Sequence, residues 1–79
     1  MSKVLSFGAR LRAARKRRGL SPERLAEAAG LRDRTIYNYE GGYSSPTLRT
    51  LEKLGDALGL TVPELLSEGG RVKQPKERP

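Results

Sequence analysis

A chain of 79 residues holds one domain and no more, and its core is so small that a staple or a partner subunit commonly assists it. The sequence contains neither Cys nor His, which excludes disulfides, thiolate metal sites and the commonest general base. A net charge of +7 points instead to a polyanionic partner. The surplus is uneven: residues 1–70 hold 12 Lys and Arg against 8 Asp and Glu, residues 71–79 hold 4 against 1. No apolar run approaches a membrane span and the first residues lack a signal-peptide core. A soluble, cytoplasmic chain with no membrane role and no cofactor or metal is therefore expected.

Phe7, Leu11 and Ala14 recur at helical spacing and predict a first helix over Phe7–Arg18, with Ser6 as its N-cap. Gly19 ends it, after a last turn of Arg and Lys that suits the negative end of the helix dipole. Ser21-Pro22-Glu23 supplies a capping hydroxyl, a proline at the first helical position and an acid in the first turn, so a second helix opens there. Leu25, Ala26 and Ala29 line one face of it, and Gly30 closes it. A third helix is predicted from Asp33 to Glu40, stopped by Gly41-Gly42, with Ile36, Tyr39 and Glu40 on one side. Tyr43-Ser44-Ser45-Pro46 reads as a loop.

Thr47 caps a fourth helix whose apolar face is Leu48, Leu51, Leu54, Ala57 and Leu58, ended by Gly59. Thr61-Val62-Pro63-Glu64 has the spacing of a capping box and opens a short fifth helix through Leu65 and Leu66. The domain is expected to span residues 1–68. Residues 69–79 combine two Gly, two Pro and five charges without an apolar period, the composition of a disordered basic tail.

Residues 22–41 are the informative stretch. Two short helices flank a tight turn at Gly30, which can adopt the positive φ the turn demands. Ala26 is small enough to let the helices cross closely. With Leu25, Ala29, Leu31, Ile36 and Tyr39 facing inward, the outer face of the third helix is left polar and of a size to enter a major groove. Any one of these features is weak; together, at mutually correct spacing, they are a strong sign.

Gly19-Leu20-Ser21, Leu25-Ala26, Gly30-Leu31, Thr35-Ile36, Tyr39-Glu40, Gly42, Pro46-Thr47-Leu48, Leu51, Leu54, Ala57-Leu58-Gly59 and Leu65-Leu66 resemble the phage Cro and repressor family of helix-turn-helix domains (the XRE family). The resemblance covers residues 7–66. It implies an all-α, five-helix lambda-repressor-like domain that dimerises on palindromic double-stranded DNA and regulates transcription, with the third helix reading bases.

Carried over by position, the base-reading residues are Arg32, Asp33, Arg34, Tyr37 and Asn38. Arg34 suits the O6/N7 edge of guanine and Asn38 the N6/N7 edge of adenine. Tyr37 fits either a thymine methyl or a phosphate. Arg32 fits base reading, phosphate contact or plain solvation. Asp33 can accept from cytosine N4 or simply favour the helix N-terminus. Contacts to the DNA backbone are expected from Ser21, Glu23 and Arg24, from Tyr43, Ser44 and Ser45, and from Thr47.

The chain departs from the family at Pro22, where many members carry a phosphate-clamping Gln; proline has neither the side-chain donor nor the N–H. Arg32 likewise replaces a frequent Ser or Thr cap. The resemblance also pairs Arg15 with Glu40 as a structural ion pair beneath the third helix.

Lys16 and Arg17 read as a solvated charge run. The dimer interface is expected around Leu60, Val62 and Leu65, with Leu66 either joining it or lying in the core; the competing reading is that all four cover the base of the fourth helix. An enzyme is not indicated, because there is no His or Cys, no phosphate-cradling glycine motif and no acid pair at catalytic spacing. A protein-interaction module, such as an antitoxin or a bridging factor, is the main alternative. Nothing in the sequence chooses a protein partner such as RNA polymerase or a toxin.

Overall fold

A computed structural model describes residues 6–67. Five helices follow in chain order: α1 (Phe7–Arg17), α2 (Pro22–Ala29), α3 (Asp33–Gly41), α4 (Leu48–Leu58) and α5 (Val62–Leu65). The expected basic tail, 69–79, lies outside the described residues.

Local chemistry sets the boundaries. Side-chain oxygens of Ser6, Ser21, Thr47 and Thr61 each accept a backbone N–H three residues ahead, satisfying donors that a helix start leaves orphaned. Thr61 and Glu64 complete a reciprocal capping box. Arg32, the N-cap of α3, makes no such bond. Helix α1 is one residue shorter than the sequence predicts, ending at Arg17, and α3 is one longer, with Gly41 inside it and Gly42 as its left-handed cap. Gly30 caps α2 at φ +71°, so the turn between α2 and α3 uses a backbone region that other residues rarely adopt.

Each helix sends at least one side chain to a single core. Leu11, Leu25, Ile36, Leu54, Leu58 and Leu65 are fully buried, and such burial is worth roughly 1.5–3 kcal/mol per side chain. Helix α3 lies across α1 and α2, α2 also rests on α4, and α5 closes against α4 and α1. Phe7 meets Tyr39 edge to face with ring centroids 6.0 Å apart.

Two expectations are corrected by this packing. Leu48 is 63% exposed and leaves the predicted face of α4. Buried residues of that helix are confined to its second half, at Leu54, Gly55 and Leu58, so its first turn projects past the core. Leu65, predicted at a dimer interface, is fully buried, whereas Leu66 is exposed. Helix α5 is a single turn and can point only one side inward; Leu65 is on it.

Interior glycines allow two close approaches that periodicity does not reveal. A Cβ on Gly8 would sit 2.5 Å from the Tyr39 carbonyl oxygen and 2.7 Å from that of Glu40, so α1 touches the backbone of α3 there. Gly55 meets the Leu60 carbonyl oxygen in the same way, at 2.5 Å. A methyl at either place must push backbone apart, which costs about 1–3 kcal/mol. Gly8→Ala is therefore expected to lower the melting temperature by several degrees in a circular-dichroism melt; an unchanged Tm would contradict the contact.

Candidate nucleic-acid interface

The outer face of α3 is built by what holds its inner face. Ile36 and Tyr39 are buried, and at about 3.6 residues per turn Arg34 falls nearly opposite them, flanked by Tyr37 and Asn38. Arg34 is exposed, Tyr37 is 51% exposed and Asn38 is half-buried. Arg32 and Asp33 are exposed at the helix start. All five residues expected to read bases thus lie at solvent-accessible positions on one short element.

The orientation of that element is fixed from beneath by Arg15. Its Nε donates to Glu40 Oε2 at 2.6 Å and its Nη2 to Glu40 Oε1 at 3.0 Å, a bidentate arrangement that sets direction as well as distance. The remaining arm, Nη1, donates to the Leu20 carbonyl at 2.8 Å. The two side chains are only 9% and 12% exposed. The hydrogen bond to Glu40 raises the Arg15 pKa further, against the opposing effect of burial. This is the one ion pair among the described residues, which leaves Arg24, Arg32 and Arg34 unpaired among them.

Several residues expected on the DNA backbone are already engaged within the protein. Ser21 Oγ caps α2 by accepting the Arg24 N–H at 3.1 Å. Thr47 Oγ1 caps α4 by accepting the Thr50 N–H at 3.2 Å. Glu23 accepts a hydrogen bond from the Tyr37 hydroxyl, joining the first turn of α2 to the outer face of α3. Arg24, Tyr43, Ser44 and Ser45 are exposed, and the ring of Tyr43 folds back over Gly41. The basic run at the end of α1 divides by role: Lys16 and Arg17 are exposed, while Arg18 Nη1 donates to the Leu58 carbonyl at 2.6 Å and ties α1 to the end of α4. Charge spacing carries no sign of that contact, since its acceptor is a carbonyl 40 positions away.

The Tyr37–Glu23 hydrogen bond is also the first cause of two opposite pKa shifts. It holds the Glu23 carboxyl below its ordinary 4.5 and the Tyr37 phenol above its ordinary 10.0. A carboxyl whose folded pKa is depressed contributes stability above the unfolded value, lost as pH falls through the folded one. For the phenol the contribution holds below the unfolded value and is lost as pH rises through the folded one.

A helix-turn-helix family model matches residues 11–65, most of α1 and all of α2 to α5. The chain belongs to the Cro/repressor-type helix-turn-helix family. Among relatives of this helix-turn-helix chain, the transcriptional regulator PuuR of Escherichia coli is 38% identical over 72 residues, covering 91% of the chain and 39% of PuuR. The chain thus spans about two fifths of the length of that relative. The solution structure of the DNA-binding domain of the phage P22 c2 repressor superposes with a TM-score of 0.77 at 26% identity, covering 86% of this chain and 88% of that one. The restriction-modification controller C.AhdI of Aeromonas hydrophila gives 0.73 at 39% identity, with 75% and 89% covered. The five-helix lambda-repressor-like fold is that of the family. No helix among the described residues is long and apolar enough to cross a membrane.

Two outcomes follow from this geometry. Glu40→Ala leaves a largely buried guanidinium without its partner, at a cost of roughly 3–5 kcal/mol, whereas Asn38→Ala touches only the outer face. Thermal melts should place Glu40→Ala well below Asn38→Ala, and equal curves would contradict the orienting role. In an NMR pH titration, the Glu23 carboxyl carbon should titrate below 4.5 and return toward it in Tyr37→Phe.

Proposed function

We propose that this chain is a sequence-specific double-stranded DNA-binding transcriptional regulator that inserts α3 into the major groove. The observation that carries the reading is the two-sidedness of α3. Its inner side is fixed by Ile36, Tyr39 and the Arg15–Glu40 pair, and its outer side offers Arg34, Tyr37 and Asn38 to solvent. A helix held rigidly from below keeps its base-facing side chains in register without an ordering cost at binding.

In this reading Arg34 makes a bidentate contact with guanine O6 and N7, and Asn38 does so with adenine N6 and N7. Arg32 and Arg24 supply cationic contact to phosphate on either side. Pro22 cannot clamp a phosphate, so backbone positioning falls to the exposed Arg24 and to the loop Tyr43-Ser44-Ser45. Asp33 stands in the first turn of α3 and serves the positive end of the helix dipole.

One short helix reads one half-site with modest affinity, and a two-fold dimer places two such helices about 34 Å apart on a palindromic operator. The exposed Leu66, with the partly buried Leu60 and Val62, is the apolar surface offered to the second subunit. Repression by occupying a promoter is the simplest output.

Selection of bound duplexes from a random pool should return a palindromic site. At that site Arg34→Ala and Asn38→Ala should each cost about 1–3 kcal/mol and relax preference at a single base pair. Affinity measured against salt should fall steeply on a logarithmic plot. A flat salt response, with no duplex enriched, would overturn the reading in favour of a protein-binding module.

A further inference from the structure

Tyr37 and Glu23 stand 14 residues apart on different helices, and their hydrogen bond closes the mouth of the helix-turn-helix unit on its solvent side. Neither group is needed by the core: the carboxylate is exposed and the ring is half-exposed. At the start of α2, a carboxylate meets no phosphate favourably, since the two anions repel. Within the protein, by contrast, the Tyr37 hydroxyl and then the Glu23 backbone N–H stabilise the ionised carboxyl, with smaller help from the Ser21 hydroxyl and the Arg15 charge. Glu23 also lies in the first turn of its helix, where the dipole favours an anion.

The contact changes what Tyr37 can offer to a groove. A free phenol donates one hydrogen and samples several rotamers. Here the hydrogen is committed to Glu23, so it is withdrawn from phosphate oxygens and from base acceptors, and the neighbouring negative charge keeps phosphate away. The ring, tethered at its far end, stays half-exposed, and its carbons are the part of the side chain left without a hydrogen-bonding duty. Among base edges in the major groove, the thymine C5-methyl is the apolar one.

Resting on the DNA-reading function above, we propose that Glu23 is a positioning residue for specificity: it holds the Tyr37 ring so that the ring, and not the hydroxyl, reads a thymine methyl. Glu23 is then no phosphate contact at all, and the chain's preference at one base pair per half-site depends on a residue that touches no DNA.

Deoxyuridine, which is thymine without its methyl, tests this at the level of one group. In the selected duplex each thymine is replaced in turn and binding by the full chain is measured. Wild-type protein should lose about fourfold at one position per half-site, the transfer worth of a methyl group. Glu23→Ala and Tyr37→Phe should each abolish that discrimination, the double variant should lose nothing further, and Glu23→Gln, which still accepts from the phenol, should retain it. A simple structural role would move melting temperatures and overall affinity without erasing the difference between thymine and uracil.

If Glu23→Ala keeps the fourfold difference, or only tightens every duplex alike, the proposal is overturned and Glu23 is merely a repulsive charge. If wild-type protein ignores every thymine methyl while Arg34→Ala and Asn38→Ala still relax base preference, this inference fails and DNA reading stands. If wild-type protein selects no duplex, DNA reading itself fails and this inference with it.

Discussion

Three arms of one guanidinium join three separate parts of the chain. Arg15 stands in the last turn of α1, holds the carbonyl of Leu20 in the turn before α2, and grips both oxygens of Glu40 near the end of α3. The hydrophobic effect that buries Ile36 and Tyr39 is by itself non-directional. A bidentate ion pair is directional. Its burial, with side chains 9% and 12% exposed, makes the pair intolerant of any arrangement that separates the charges. The exposed side of α3 therefore inherits its aim from a contact on the opposite side.

The rest of the framework reinforces that aim. Gly8 brings α1 against the backbone of α3 at Tyr39 and Glu40, beside the ion pair, so α1 approaches closely where the charges must meet. Arg18 fastens the end of α1 to the end of α4 through Leu58. On the solvent side, Glu23 and Tyr37 link α2 to α3. Helix α3 is thus fixed at its inner face by α1 and bridged at its outer face by α2, while Arg34 stays unpaired among the described residues. Such rigidity suits a surface that must present hydrogen-bonding groups at set spacing.

The departure at Pro22 fits the same picture. Proline opens α2 cleanly but supplies no donor to a phosphate. The next residue, Glu23, accepts a hydrogen bond from the Tyr37 hydroxyl. The first turn of α2 thereby holds α3 through Tyr37, while Arg24 and the loop after α3 stay exposed.

Helix positions, caps and the all-α fold were legible in the sequence because each depends on neighbours three or four residues away: Ser6, Ser21, Thr47 and Thr61 each act within one turn. The Arg15–Glu40 pair is implied by family resemblance and not by spacing, since 25 residues separate the partners. Only the tertiary structure decided that Leu65 lies inside and Leu66 outside, that Leu48 overhangs, that Arg18 seeks a carbonyl while Arg17 does not, and that Glu23 faces Tyr37. Each of these depends on where a distant helix lies. A single-turn helix has too few residues to establish a face, a charge run does not reveal which member has an acceptor in reach, and a glycine inside a helix records a close approach only once the neighbouring backbone is in place.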